Sequence, residues 1–529
     1  MSDADIESQL DFVKSCYTPA MQELLSTNNR DKSSDTLFAA LDSGQVKRKS
    51  IRGAGVTLGS QALRFVLQMG TTMILARLLS PEDFGLQGMV LVMTGFLGVF
   101  KDAGLSMATV QRDVITHEQI SALFWINVGL GSALTVLAVV LAPVLVAFYH
   151  EPRLYSATMV SAITFLLIGL GAQHGALLQR KMRFMTIAKI DLLSLAIASA
   201  VGITMARWEL GYWALVGMIV SVPLVTTAGV WLAVRWLPGM PSRGSGVRSM
   251  LHFGATASCN SIVLCMGYNA EKILMGRFWG AESLGLYGRA YQLASMPSQQ
   301  FTGAVGGVVF PALSRMQDDN ERLCRSFLKG YSVVLSAIVP VAIASAVFAE
   351  DIVRVVLGPK WNEAAPVLRF LTPTILGFAL MDPFRWFLMA SGLASRSLRI
   401  SYLVAPTMVL GILVGLPHGP KGVAFGYSLA VALLVVPVIA WAIQGTAITK
   451  LELWRSVNKP LFAGLVAGAC GLICRTLVES VFTPLPRLIV ELCLVTALYI
   501  GILLIIKGQR RFFLDLIHQL FSRVDRGTE

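Results

Sequence analysis

The sequence predicts an all-α polytopic membrane protein with about 14 transmembrane helices. Of its 529 residues, 55% are hydrophobic and only 14% are charged, whereas soluble proteins carry about 25% charged residues. Apolar windows of about 20 residues, the length that crosses a bilayer as a helix, recur along the chain. The predicted spans are 53–76, 85–108, 121–147, 156–177, 187–206, 211–234, 252–271, 288–311, 330–349, 365–391, 398–416, 421–443, 460–482 and 488–507.

The segment before the first span, residues 1–50, is polar and mixed in charge. It lacks the 7–15-residue apolar run of a secretory signal peptide. We therefore expect a cytoplasmic N-terminal extension, with the first span acting as its own insertion signal.

An internal repeat relates the two halves of the chain. Residues 74–88 (ILARLLSPEDFGLQG) align with 274–288 (LMGRFWGAESLGLYG) at a constant offset, and each copy joins the first two spans of a six-span set. Repeats of this kind are typical of transporters, in which two lobes enclose a substrate site. The predicted organisation is an extension (1–50), an N-lobe of six helices (51–234), a cytoplasmic linker (235–250), a C-lobe of six helices (251–445), two further helices (446–507) and a basic cytoplasmic tail (508–529).

Positive charge is distributed as a membrane topology signal. The net charge is +13, and Lys and Arg concentrate in alternate loops between the spans. This asymmetry follows the positive-inside rule and places both termini in the cytoplasm. The excess basicity therefore indicates topology and attraction to anionic lipid, and we expect no nucleic-acid partner.

Six cations interrupt the predicted spans: Arg64, Lys101, Arg289, Arg369, Arg385 and Arg475. A charge at the bilayer centre costs about 2.5–3.5 kcal/mol on insertion scales, so it usually faces a partner or a watery cavity. Because these deep charges are mostly of one sign, they favour a cavity that receives an anion. No carboxylate pair, nucleophile–base arrangement or nucleotide loop indicates an enzyme, and the seven scattered cysteines indicate no metal site.

The first and seventh spans are equivalent in the repeat and are predicted to line the cavity. On the first, Gln61, Arg64 and Gln68 share one helical face. On the seventh, Lys272 continues a polar stripe through Tyr268, with Asn269 beside it. Polar contacts between helices are the alternative reading of these stripes.

The other candidates are adjacent or near span ends: Lys101, Asp102, Arg289, Asp382 and Arg385. Arg385 follows Asp382 by three residues, so an ion pair within the helix competes with a cavity role.

Two remaining cations have structural explanations. Arg475 is expected to pair with Glu479, one turn further along the thirteenth span. Arg369 is expected to reach the membrane interface. GxxxG pairs such as Gly411/Gly415 and Gly422/Gly426 predict close helix contacts.

Several longer stretches carry a family resemblance. The segments LARLLSPEDFGLQGMV (75–90), FKDAGLSMATVQRDVITHEQISALFWIN (100–127) and NAEKILMGRFWGAESLGLYGRAYQLASMP (269–297) resemble Wzx-type polysaccharide flippases of the MATE/lipid-flippase superfamily. The similarity is greatest to the colanic-acid-exporter branch, whose members usually carry Asp where this chain has Glu271 and an uncharged residue where it has Lys272.

The resemblance implies a substrate and a location. The substrate is a polyprenyl-pyrophosphate-linked oligosaccharide, moved from the inner to the outer leaflet of a bacterial inner membrane. It also implies surrounding lipid, and polymerase and chain-length machinery, as partners. No cofactor is expected, and the coupling ion, H⁺ or Na⁺, is open. The alternatives are a flippase for a peptidoglycan lipid precursor, a drug or cation antiporter of the same superfamily, and a membrane-embedded glycosyltransferase.

Overall fold

The computed structural model describes residues 43–98, 100–101, 105–111, 115–240, 248–314, 316–317, 319–478 and 483–505. The side chains of 43–58, 107–108, 111, 248–268, 304, 307–308, 310–312, 314, 394 and 477–478 are not part of this description. Residues 1–42, the linker residues 241–247 and the tail predicted at 508–529 lie outside this part. Within it, all regular structure is helical, and short 3₁₀ turns occur at Pro359–Trp361 and Leu416–His418. The helices are α1 (Ser43–Leu78), α2 (Pro81–Gly98), α3 (Leu105–Gln111), α4 (His117–Tyr149), α5 (Leu154–Arg180), α6 (Phe184–Arg207), α7 (Trp213–Val234), α8 (Arg248–Ser314), α9 (Asn320–Val347), α10 (Ala349–Val356), α11 (Ala364–Ala390), α12 (Ala394–Gly415), α13 (Gly419–Ile443), α14 (Lys450–Val478) and α15 (Pro484–Ile505).

The predicted membrane fold is confirmed. Among the described residues, nine helical stretches are long and apolar enough to cross a membrane, and one of them, Ser395–Ile443, contains both α12 and α13. Their apolar surfaces are turned outward: on α4, Val136, Val140 and Val144 are all more than 60% exposed. Lipid would cover such side chains. Helices α1 and α2 and the two halves of α8 occupy the positions of the other predicted spans, and the total of 14 remains a prediction.

Helix α8 corrects the predicted boundary between the seventh and eighth spans. The spans 252–271 and 288–311 are joined by helix rather than by a loop, and α8 is interrupted only at Gly280 (φ 75°, ψ −175°). A positive φ of this kind is easily adopted only by glycine. The equivalent repeat position is Ser80, between α1 and α2, whose N–H and hydroxyl donate to the Asp83 carboxylate. Both repeats therefore turn at the same position.

The second predicted span, 85–108, is also corrected. Helix α2 ends at Gly98, and α3 begins only at Leu105. Between them, Phe100 and Lys101 lie in a turn and a bend, so the helix that the hydropathy pattern predicted does not continue through these two residues.

The two repeat copies pack directly against each other. A Cβ atom on Gly85 of α2 would lie 1.7 Å from the Ala281 carbonyl oxygen, and one on Gly285 of α8 would lie 1.8 Å from the Pro81 carbonyl oxygen. Gly85 and Gly285, like Pro81 and Ala281, are equivalent in the repeat, so the contact is reciprocal, as at a two-fold axis. We call the contact of these four residues the Gly85–Gly285 seam.

Further repeat-equivalent positions reach across the seam. The Ala76 carbonyl accepts a 2.8 Å hydrogen bond from Trp361 Nε1. Its equivalent, Gly276, is so close to Tyr149 that a Cβ atom would lie 2.7 Å from the Tyr149 ring. Each half thus contacts the opposite half through the same repeat position.

The repeat arginines behave in the same way. Arg77 donates a 2.8 Å hydrogen bond to the Val355 carbonyl, and the Arg277 guanidinium lies 5.9 Å from the Phe148 ring centroid. Both partners belong to the opposite half of the chain. Contacts made by both copies of the repeated segment therefore join the two halves around the seam.

Close helix contacts hold the second half together. A Cβ atom on Gly411 would lie 2.4 Å from the Gly426 carbonyl oxygen, and one on Gly415 would lie 2.1 Å from that of Gly422. The prediction from the GxxxG pairs of α12 and α13 is thus confirmed.

Candidate substrate cavities

A cavity in the second half brings together four of the predicted site residues. It has a volume of about 490 Å³ and lies between α8 and α11. Asn269 and Lys272 lie on its α8 wall, and Asp382 and Arg385 on its α11 wall. We call it the C-lobe cavity. Its described lining comes from α8 and α11 alone, so a cavity shared by the first and seventh spans stays a prediction.

The cations of the C-lobe cavity are available to a ligand. Lys272 Nζ donates a 2.8 Å hydrogen bond to Asn269 Oδ1, which uses one of its three N–H groups. Arg385 is exposed to the cavity, and Asp382, although near enough to interact with it electrostatically, forms no ion pair with it. Between the two readings left open for Arg385, the geometry favours the cavity.

The first half has a cavity of its own, with a volume of about 530 Å³. Gln61 and Arg64 of α1 line it, together with Arg180 of α5 and Asp191 of α6. Arg180 is buried and donates a 3.0 Å hydrogen bond to the Thr109 carbonyl. The sequence assigned Arg180 to a basic loop, since it stands at the end of its helix. We call this space the N-lobe cavity.

Arg289 lies at the seam rather than in either cavity. Its guanidinium lies 4.4 Å from the Phe84 ring centroid and donates to Gln87 Oε1 at 3.4 Å and to Gln292. Phe84 and Gln87 belong to the opposite half. Arg289 therefore links the two halves through a cation–π contact and a hydrogen bond.

Lys101 and Gln68 are not among the described residues that line these cavities. Lys101 is exposed in a bend after the end of α2, because α2 is shorter than predicted. Gln68 is half-buried, and its carbonyl accepts from the Thr72 hydroxyl. Asp102 and the Tyr268 side chain lie outside the described part of the structure. For these residues, a cavity role stays a prediction.

Arg475 has a partner that the sequence did not predict. Its guanidinium binds Glu350 at 2.5 Å, and Arg369 binds the same carboxylate at 3.2 Å. Glu479, the expected partner of Arg475, lies outside the described residues. Partial burial acts to raise the pKa of Glu350, but Arg475 and Arg369 together hold it below its usual value. This cluster joins α14 to the second half of the chain.

A second ion pair joins α15 to the same region. Arg487 binds Asp351 of α10, and both side chains are buried. The two pairs explain how the last two helices, which lie outside the repeat, attach to the second half.

Glu271 is a buried carboxylate that was not among the residues predicted to form the site. It is 1% exposed, and neither of its oxygens has a hydrogen-bond partner in the described structure. It immediately precedes Lys272 of the C-lobe cavity, with which it interacts electrostatically. An unpaired buried carboxylate is costly when ionised, so it favours taking up a proton or a cation. Its signal in the sequence was a carboxylate at the end of an apolar span, directly before the cation Lys272.

The helical fold, the repeat-related halves and their polar cavities define a multi-pass membrane transporter. A family model described as "Polysaccharide biosynthesis protein" matches residues 74–366, and the chain belongs to this family. The lipopolysaccharide biosynthesis protein WzxC of Escherichia coli (strain K12) is 27% identical over 81% of this chain and 89% of its own length. The succinoglycan biosynthesis transport protein ExoT of Rhizobium meliloti (strain 1021) is 27% identical over 60% of this chain and 65% of its own.

Among solved structures, the fold is similar to that of the lipid II flippase MurJ in an inward closed conformation. The TM-score is 0.69 at 14% identity, and the match covers 88% of this chain and 100% of the MurJ chain. The fold and the family together identify transport in polysaccharide biosynthesis, rather than catalysis, as the function class.

Proposed function

We propose that the chain translocates a polyprenyl-pyrophosphate-linked oligosaccharide repeat unit from the inner to the outer leaflet of a bacterial inner membrane, for exopolysaccharide, capsule or O-antigen synthesis. The observation that carries the proposal is that each half holds a polar cavity with a cation, Arg64 or Arg385, that forms no ion pair among the described residues. Pyrophosphate is anionic, and guanidinium groups bind phosphate oxygens in a bidentate manner. The prenyl tail stays in lipid while the headgroup crosses.

The proposed transport mechanism is alternating access. In this proposal the Gly85–Gly285 seam closes the outer side of the transporter, and both termini are cytoplasmic. Separation of the halves at the seam opens the cavities outward, and closure there returns them inward. The reciprocal packing supports this role, because a contact between repeat-equivalent surfaces allows two bodies to rock about one axis.

Coupling to an ion is part of the proposal. We assign Glu271 as the group that takes up H⁺ or Na⁺, because it is buried, without a hydrogen-bond partner and next to the C-lobe cavity. Its charge state would alter the field at Lys272 and so the binding of an anion.

Deletion of the gene tests the proposed function. Lipid-linked repeat units should accumulate on the cytoplasmic leaflet and polymer export should stop. Wild-type chain should restore export and Arg64→Ala should not, because the N-lobe cavity loses its exposed guanidinium. Lys189→Ala is a matched control, since Lys189 is exposed on α6 and does not line that cavity. Full export by Arg64→Ala would contradict the role of Arg64.

The peptidoglycan-precursor alternative has a separate test. The MurJ-like fold shows architecture and not substrate, so complementation decides between the two lipids. Rescue of a strain that lacks its lipid II flippase, without restored polymer export in the deletion strain, would replace the proposed substrate.

A further inference from the structure

The C-lobe cavity continues into a second space along α11. This second space has a volume of about 620 Å³ and shares six lining residues with the first: Thr302, Gly303, Phe378, Asp382, Arg385 and Trp386. Ligand pockets commonly measure about 300–1,000 Å³, so the joined space accommodates more than a phosphate group. Its lining combines aromatic, amide, hydroxyl and charged side chains.

Trp386 forms a fixed aromatic wall where the two spaces join. A Cβ atom on Gly306 of α8 would lie 2.6 Å from Trp386 Cζ2 and 2.8 Å from Cε2. The indole therefore rests directly on the α8 backbone, and it lines both spaces. The face of an aromatic ring carries partial negative charge and attracts the C–H groups of a sugar ring. Gly306 is the residue that makes room for this platform.

Polar groups suited to sugar hydroxyls surround the platform. Gln299 and Thr302 of α8 lie on the same wall, and Asp382 lies one turn before Trp386 on α11. Amide and carboxylate groups that converge on an aromatic ring provide both orientation and specificity.

The charged side chains of the C-lobe cavity favour an acidic sugar over a neutral one. Among the residues that line the cavity, Lys272 and Arg385 outnumber the one carboxylate, Asp382. Glu271 interacts electrostatically with Lys272 but is buried and does not line the cavity. Neither cation forms an ion pair among the described residues. A carboxylate on a sugar is the ligand group that would complete this arrangement.

We propose that the C-lobe cavity is a subsite for an acidic sugar of the repeat unit. The pyranose ring stacks on Trp386, its carboxylate binds Arg385 and Lys272, and its hydroxyls bind Gln299 and Asp382. The inference rests on the proposed function and deepens it, because it assigns a substrate class, a carboxylate-bearing glycan, to one half of the transporter.

Binding to the purified full-length protein in lipid nanodiscs tests the assignment. The probes are a glucuronyl-glucose disaccharide and its neutral counterpart cellobiose, measured by calorimetry at low and moderate salt. We expect the acidic probe to bind at least about tenfold more tightly, as a charge-assisted hydrogen bond provides. No binding of the acidic probe by wild type, or equal binding of both probes, would overturn the subsite.

Matched variants test which residues cause the preference for the acidic probe. Arg385→Gln with Lys272→Gln should bring the two probes to equal affinity, and Trp386→Ala should weaken both by a similar factor. Lys421→Gln is the control, because Lys421 is exposed on α13 and lines neither space. A preference that survives the double substitution would refute the assignment.

Export assays distinguish a failure of the proposed function from a failure of the subsite. If wild type fails to restore export in the deletion strain, the proposed function is wrong. If wild type restores export and the Lys272→Gln/Arg385→Gln variant does so equally well, the proposed function stands and the subsite is rejected. Loss of export in that variant, with normal amounts of folded protein in the membrane and equal affinity for the two probes, supports both.

Discussion

Replacement of Gly85 by alanine perturbs the seam with a single methyl group. That methyl carbon would lie 1.7 Å from the Ala281 carbonyl oxygen, whereas real contacts essentially never fall below 3.0 Å. Because the obstacle is backbone, α2 and α8 must separate by about 1.3 Å, the difference between these distances. Overpacking of this kind costs about 1–3 kcal/mol. If the cost falls on the seam-closed state alone, the ratio of open to closed molecules rises by about 5- to 150-fold.

Cysteine accessibility measures that ratio. The reporter is Ser295→Cys, on the wall of the C-lobe cavity, in a background from which the seven native cysteines have been removed. A membrane-impermeant maleimide is added outside intact cells, and the rate of labelling is recorded. Gly85→Ala should accelerate labelling in proportion to the open population.

Repeat symmetry provides both a replicate and a control. Gly285→Ala should act like Gly85→Ala, because its Cβ atom would lie 1.8 Å from the Pro81 carbonyl oxygen. Gly288→Ala, three residues further along α8, should leave labelling unchanged, because no atom lies within 4 Å of its Cβ position. Equal labelling rates for Gly85→Ala and Gly288→Ala, from outside cells and in inside-out vesicles, would refute the seam as a gate.

Three further predictions concern buried and clustered charges. Glu350→Gln should lower the thermal stability of the purified protein at pH 7. Because the folded pKa of Glu350 is depressed, its contribution is fully present above its ordinary pKa of 4.5 and is lost as the pH falls through the lower folded pKa. The gap from wild type should therefore narrow progressively in melts below that pH, and a constant gap would contradict the Arg475 pairing. Asp351→Asn should destabilise the fold by about 3 kcal/mol or more in denaturant unfolding, because Arg487 loses a buried carboxylate partner. A loss of less than about 1 kcal/mol would argue against that pair. Glu271→Gln should preserve stability, because it removes a carboxylate whose oxygens have no hydrogen-bond partner among the described residues. The same variant should abolish the dependence of export on an ion gradient. Retained dependence would exclude Glu271 as the coupling group.

The membrane fold and the repeat were predictable because their signals are local. Hydropathy records which segments are apolar, and a constant offset survives in pairs such as Gly85 and Gly285. The contact between the two copies was not predictable, since an alignment shows that segments are equivalent and not that they touch. The two helical segments that meet at Gly280 were missed there because the polar residues around it are typical of a loop, and hydropathy alone does not report where a helix ends.

Candidate site residues were predictable to a different extent. Lys272 and Arg385 come from helices far apart in sequence. Arg385 was selected as a cation within an apolar span, and Lys272 as the end of a polar stripe on the span equivalent to the first. Arg180 and Trp386 were missed, because an arginine at a helix end and a tryptophan in a span are both common in membrane proteins. The partner of Arg475 was beyond a sequence argument: spacing along one helix cannot reveal a carboxylate on another, here Glu350.

The seam and the C-lobe cavity share one structural element. Gly285 of the seam and Ser295 of the cavity lie on the α8 segment after Gly280, about 15 Å apart along a continuous helix. In the first half, by contrast, the described lining of the N-lobe cavity comes from α1, α3, α5 and α6, and α2 ends at Gly98 without contributing to it. Separation at the seam therefore displaces the wall of the C-lobe cavity directly, whereas it reaches the N-lobe cavity only through neighbouring helices. By reciprocity of coupled equilibria, a ligand in the C-lobe cavity should bias the seam more strongly than an anion bound near Arg64.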